Sequence, residues 1–147
     1  MKPVLGIDFG RVRIGLAISD ELRLLAHPLE TIPAGKNATA RIAEIAREKN
    51  IECVVVGVPK LMSGVAGTAA KEAMAFADKV RAVLNCEVVT WDERLTTVAA
   101  ERALRESGKK THVTRGYVDQ VAAQMILQGF LDRQRERERV EELPQSG

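Results

Sequence analysis

Turns of three residues separate the first three strand-like runs of this chain, and turns that short decide how the strands pair. Residues 3–9, 13–19 and 23–32 alternate apolar and β-branched residues with others, with Gly10-Arg11-Val12 and Asp20-Glu21-Leu22 between them. Parallel neighbours need a crossover of about a dozen residues or more, so these runs form an antiparallel meander. The rest of the chain alternates. Ala38, Ile42, Ala43, Ile45 and Ala46 fall near a helical period within 37–49, and ECVVVGV at 52–58 is the nearly continuous apolar run of a strand covered on both faces. Gly57, Pro59, Gly64 and Gly67 mark a loop, and AAKEAMAFADKVRAVL then reads as a helix ending near Asn85. A strand at 86–91, a helix over TTVAAERALRESG with Gly108 just past its end, and a last helix from Arg115 to Glu142 complete the order. The expected architecture is α/β: a mixed five-stranded sheet, three antiparallel strands followed by alternating helices and strands, with helices on both faces.

Composition narrows the function. At 147 residues and 46% hydrophobic, the chain is one domain able to bury a core without disulfides or a structural metal. Aromatic residues make up 3%, so nucleic-acid recognition cannot rest on rows of stacked rings, and a net charge of +2 excludes a polybasic scaffold. Cys53 and Cys86 lack CxxC spacing and read as buried strand thiols; His27 and His112 lack the spacing of zinc ligands. No apolar run approaches the roughly 20 residues of a membrane span, so a soluble cytoplasmic protein with no membrane partner is expected. The segment DRQRERERVEE sets Arg133, Arg135, Arg137 and Arg139 against five acids and reads as a solvated helical end with i,i+4 charge pairs.

Three acidic positions are out of place for ordinary surface carboxylates. Asp8 sits in VLGIDFG among apolar strand residues. An unpaired buried carboxylate costs several kcal/mol, so it requires a cation, hydrogen-bond donors or a metal; the alternative is a turn residue bonding the backbone of Gly10 or Arg11. WDERLTT places Asp92 and Glu93 at the carboxyl end of a strand, where ligand sites of α/β proteins collect. Alternation puts Trp91 and Glu93 on one face and Asp92 on the other. One acid can then serve a site while the other serves the turn or the start of the next helix, which Thr96 would cap; alternatively both do the latter. Asp119 has Ala122, Ala123, Ile126, Leu127 and Phe130 at helical spacings after it, so it lies on the apolar stripe. With Thr114 as the expected N-cap, Asp119 is too deep to cap the helix. It reads as a ligand or catalytic group, against an internal salt bridge to Arg13 or Arg94. If the three converge, an oxygen-only donor set suits Mg²⁺ or Mn²⁺ and the hydrolysis of phosphodiesters.

Taken together, GIDFGRVRIGLAISD, VVVGVPKLMSGVAG, WDERLTT and DQVAAQMILQGFLD closely resemble the YqgF (RuvX) family from Val4 to about Asp132. Its members are described as candidate Holliday junction resolvases and candidate nucleases of pre-16S ribosomal RNA, with a ribonuclease H-like fold. The resemblance implies a metal-dependent nuclease in which Asp8, Glu93 and Asp119 are catalytic residues and ligands of Mg²⁺ or Mn²⁺. The implied substrate is structured nucleic acid, through pre-16S rRNA 5'-end processing or junction resolution. The resemblance assigns residues 1–132 to the nuclease domain and leaves 133–147 as a charged tail. Two departures bear on substrate affinity: GKKTHVTRGYVDQ holds no continuous basic run, and Ser63 stands where the family often has an acid or asparagine.

Arg11, Arg13, Lys60, Arg94, Lys109, Lys110 and Arg115 lie in or beside loops at the proposed edge and are the candidate phosphate contacts, with ordinary surface charge as the alternative. Two other functions compete. GIDFG also resembles the phosphate loop of actin-like and sugar-kinase ATPases, but those use two such loops in two domains and this chain has one. A noncatalytic nucleic-acid-binding or ribosome-assembly module is the other, and retention of three acids argues against it. No heptad declares a dimer interface, so a monomer is expected in isolation, although a dimer would suit a two-fold junction.

Overall fold

Every residue of the strand Cys53–Val58 is buried, and the architecture follows from covering both of its faces. The computed structural model describes residues 1–96 and 112–143, with side chains at 1–96 and 118–143. In chain order these form β1 (Val4–Phe9), β2 (Arg13–Ser19), β3 (Ala26–Pro33), α1 (Ala38–Glu48), β4 (Cys53–Val58), α2 (Thr68–Val83), β5 (Glu87–Asp92), a 3-10 turn (Glu93–Leu95) and α3 (His112–Glu142). The sheet order is β3-β2-β1-β4-β5. β1 pairs antiparallel with β2 across a three-residue turn, and β2 with β3 across residues 20–25; β1 pairs parallel with β4, and β4 with β5.

Strand alternation sorts the core into two layers. Leu5, Ile7, Val54, Val56 and Val88 meet α1 and α2 through Ile42, Ile45, Phe76 and Val80. Val4, Ala17, Val55 and Trp91 meet α3 through Ala122, Ala123, Ile126, Leu127 and Leu131. Each fully buried aliphatic side chain contributes about 1.5–3 kcal/mol; Ala122, Ala123, Ile126 and Leu127 are buried at the i+3, i+4, i+7 and i+8 spacings from Asp119 expected above, while Phe130 is half-buried and Leu131 takes the next buried position. Since Leu5 and Ile7 face α1 and α2, Asp8 faces α3.

The structure shifts several expected boundaries. β3 begins at Ala26 rather than residue 23, because the Asp20 carboxylate accepts from the amides of Leu24 at 2.7 Å and Leu25 at 3.2 Å, and Arg23 takes a left-handed conformation with φ 58°. These bonds satisfy the backbone as a turn instead of a ladder. Thr114 lies inside α3, which already includes His112, so it is not the N-cap; neither His112 nor Val113 interrupts a helix. α3 also continues unbroken past residue 132 into the charged segment. The helix expected over residues 96–108, with its proposed cap at Thr96, lies outside the described residues beyond Thr96 itself. Cys53 is buried and Cys86 half-buried, both as free thiols. Among the described residues no helix is long and apolar enough to cross a membrane.

Candidate active site

The α3 face of the sheet carries two close approaches that bring acids together. Asp8 on β1 pairs across the ladder with Gly15 on β2. A Cβ on Gly15 would lie 2.1 Å from the carbonyl oxygen of Asp119, so α3 rests directly on the β2 backbone at that rung. On the other side of β1, Gly57 stands one residue beyond the paired Ile7 and Val56. A Cβ there would lie 2.9 Å from Oε2 of Glu93, so the carboxylate of Glu93 folds back over β4 at the level of Asp8. Only residues without a side chain permit these contacts. The strand glycines signal them in the sequence, yet Gly15 passes unremarked there and Gly57 reads as a loop marker.

The three acids of the sequence thus share one end of one face. Asp8 is 3% exposed and Glu93 2%. Two charged groups so deeply withdrawn from water are costly unless the fold or a ligand compensates them. Asp119 is less enclosed, and Nε of Arg13 donates to its Oδ2 at 3.0 Å. That is the internal salt bridge that competes with the ligand reading. Among the described residues no three Asp, Glu, His or Cys side chains are arranged to hold one metal ion. Carboxylate oxygens are the donors that a hard divalent cation takes.

Glu93 and Asp92 divide roles. Asp92 turns away from Glu93 and accepts from the Arg94 amide at 3.0 Å, capping the 3-10 turn, and from the Arg94 guanidinium at 2.6 and 3.1 Å. Those hydrogen bonds hold the Asp92 carboxyl below the usual carboxylate range. The turn they stabilise fixes the buried residue between them, Glu93. Trp91 shares the α3 face, with its ring edge-on to Phe130 at 6.4 Å; Phe9 instead stacks on Phe76 at 4.7 Å on the opposite face.

The basic residues separate into groups. Arg13 is bound to Asp119 and Arg94 to Asp92. Arg11 forms a two-pronged pair with Glu72 of α2, at 2.9 and 2.8 Å, and remains exposed. Lys60 follows β4 and lines a cleft beside Asp92. Arg115 stands within α3, where the backbone alone is described, and Lys109 and Lys110 lie outside the described residues.

Comparison with known proteins finds a family model and relatives named as resolvase and nucleases. The family model described as "RuvX: Holliday junction resolvase" matches residues 2–133. A protein of Chloroflexus aggregans named "Putative pre-16S rRNA nuclease" is 48% identical over 136 residues, covering 91% of this chain and 96% of its own. A Bacillus cereus protein of the same name is 42% identical over 134 residues, covering 88% and 98%. Among solved structures, Thermus thermophilus RuvC aligns with a TM-score of 0.55 at 16% identity, over 91% of this chain and 96% of that one. The fowlpox virus Holliday junction resolvase aligns at 0.51 and 13%, over 89% and 99%. At such identities these two likenesses establish the ribonuclease H-like, resolvase-type fold alone.

Proposed function

The chain belongs to the RuvX family, and from that premise we propose that it is a metal-dependent nuclease whose site is built on Asp8, Glu93 and Asp119. The observation that carries the reading is the burial of Asp8 and Glu93 on one face of the sheet, at the rung where α3 lays Asp119 against β2. Two enclosed carboxylates at the carboxyl ends of the parallel strands β1 and β5, on either side of β4, suit a site that binds cations and handles phosphodiesters. Asp8 and Glu93 would hold Mg²⁺ or Mn²⁺, with Asp119 joining them when it exchanges its bond to Arg13. Mg²⁺ or Mn²⁺ held there would supply an activated water and offset charge on the leaving oxygen. The protein's own part is to orient the carboxylates rigidly, from strands and a packed helix, and to exclude bulk water from the Asp8 and Glu93 side.

Arg13 serves a second purpose in this reading. Its guanidinium stands beside the acids, where a phosphate displacing it from Asp119 would take two of its donors. Precursor 16S ribosomal RNA is the leading substrate, because the Chloroflexus aggregans and Bacillus cereus proteins bearing that name match at 48% and 42% over nearly their whole length. Branched DNA is the second reading, favoured by the description of the family model.

The test is a cleavage assay with Mg²⁺ and with Mn²⁺, offering precursor 16S RNA and a four-way DNA junction side by side. Wild type cleaves one or both, and Asp8→Asn, Glu93→Gln and Asp119→Asn abolish cleavage while keeping the wild-type circular dichroism spectrum. Cleavage retained by all three variants would reject the site. Binding without cleavage across both metals and substrates would favour a noncatalytic nucleic-acid-binding module.

A further inference from the structure

We propose that Lys60, Arg133 and Arg137 form a second, noncatalytic track for the phosphodiester backbone of a substrate strand, leading away from the β5 end of the active site. The proposal rests on the nuclease reading and extends it by naming where the strand runs. A cleft of about 340 Å³ lies over the edge of the sheet, with Lys60, Trp91, Asp92 and Leu95 on one side and Arg133 and Arg137 of α3 on the other. Asp92 and Leu95 flank Glu93, so the cleft opens beside the proposed catalytic acids.

Charge gives the cleft its character. Asp92 is the acid among its lining residues, and its carboxylate is already engaged by Arg94. Arg133 and Arg137 stand one helical turn apart on one face of α3, a spacing at which like charges repel. Neither takes part in an ion pair among the described residues, whereas the neighbouring Arg135 is paired with Asp132. Lys60 likewise has no ion pair among the described residues. Three cations with no ion pair among the described residues line one cleft, a surface suited to an anionic polymer.

A second observation points the same way. Trp91 forms part of the cleft wall, is 8% exposed, and its buried Nε1 has no hydrogen-bond partner among the described residues. Buried indole donors ordinarily find an acceptor. A strand in the cleft would supply such an acceptor only by opening the wall around it. A further cleft of about 480 Å³ continues past Trp91 along α3, where Asp132 and Glu136 stand beside Arg133, so the basic surface ends with the first cleft. The arginines of the charged segment therefore differ: two overhang the sheet edge, and the simple reading of the segment as a solvated helical end does not distinguish them.

Binding of the full-length protein to a fluorescein-labelled single-stranded RNA and to a labelled four-way DNA junction, in EDTA and over a series of salt concentrations, tests the proposal independently of cleavage. The double variant Arg133→Ala, Arg137→Ala is expected to bind several-fold more weakly. Its log-log salt slope on the single strand should fall by about 1.4, the value for two lost phosphate contacts. Lys60→Ala should shift in the same direction by about half as much, and Arg135→Ala, Arg139→Ala, which removes the same charge, should keep the wild-type slope. An unchanged slope in the first variant, or equal losses in both double variants, would overturn the track. If wild type binds in this manner but cleaves neither substrate, the track stands and the nuclease reading fails; if it cleaves and the slopes do not differ, the reverse holds. If wild type binds neither probe, the track fails, and the nuclease reading is decided by cleavage in Mg²⁺ or Mn²⁺.

Discussion

Nε of Arg13, on β2, donates to Oδ2 of Asp119, on α3, at 3.0 Å, across the rung where the helix rests on Gly15. The pair spans 106 residues of sequence and lies between the surface and the core, with 29% and 13% of the two side chains exposed. A cation therefore already occupies one carboxylate of the proposed metal site. Replacing Arg13 by Gln should tighten Mn²⁺ binding, measured by calorimetry or by quenching of the single tryptophan, because the metal no longer displaces a guanidinium. The same variant should lose about 1–2 kcal/mol of stability, between the values for exposed and buried ion pairs. Unchanged or weaker Mn²⁺ binding would mean that the pair is structural and Asp119 does not exchange partners.

Arg94 holds the Asp92 carboxyl below its usual range, first through its side-chain hydrogen bonds and then through its backbone amide. A carboxyl whose folded value is depressed adds stability above its unfolded value near pH 4, and that stability is lost as pH falls through the lower folded value. In Arg94→Ala the depression is relieved in large part. Urea midpoints should then be lower than wild type at pH 7, and the two profiles should converge as pH falls toward the depressed value. Arg94→Lys should recover part of the difference as a single charge but not the two-pronged geometry. Parallel profiles down to pH 2 would show that the pair does not stabilise the turn.

Burial pushes the Cys53 thiol up to about 11, while Cys86, at the head of β5, is half-buried and also raised. At pH 8 the thiolate fraction of Cys53 is then only about one in a thousand. Reaction with a disulfide reagent at that pH should show Cys86 reacting first and Cys53 reacting only at the rate of unfolding. Cys53 labelling as fast as an unfolded control would mean that the β1, β4 and α3 packing around it opens readily.

The sheet was legible in the sequence because its evidence is local. Three-residue turns admit one pairing, and the continuous apolar run at β4 admits only a strand covered on both faces. Asp8 and Asp119 stood out for a related reason, since each is a charge on a pattern of apolar residues. What sequence could not supply was long-range pairing. Arg11 and Glu72 look like surface charge one at a time, whereas the pair of Arg13 with Asp119 is one of the two salt bridges that the sequence offered as the alternative to a ligand role. The boundary of β3 was missed because a single carboxylate, Asp20, competes for the backbone donors of Leu24 and Leu25. The role of Glu93 as the inward acid of its pair depended on alternation continuing for one residue into a 3-10 turn, and its position over Gly57 became evident only from the packing.

The two glycines beneath the site should respond differently to alanine, because different atoms oppose the added methyl. At Gly15 the obstacle is backbone, the Asp119 carbonyl oxygen at 2.1 Å and its carbon at 2.4 Å, which can move only if α3 shifts bodily. Gly15→Ala should therefore cost about 3 kcal/mol or more, the upper range for overpacking, and displace Asp119 from Asp8. At Gly57 the obstacles are the ends of side chains, Cδ1 of Ile126 at 2.4 Å and Oε2 of Glu93 at 2.9 Å. Ile126 can change rotamer at a cost of about 1 kcal/mol, but the carboxylate must leave its place over β4. Gly57→Ala should accordingly retain most of its stability in urea while losing nuclease activity as severely as Glu93→Gln. If Gly57→Ala instead cleaves at the wild-type rate, Glu93 does not act from the position over Gly57, and the acid at the end of β5 is a packing residue.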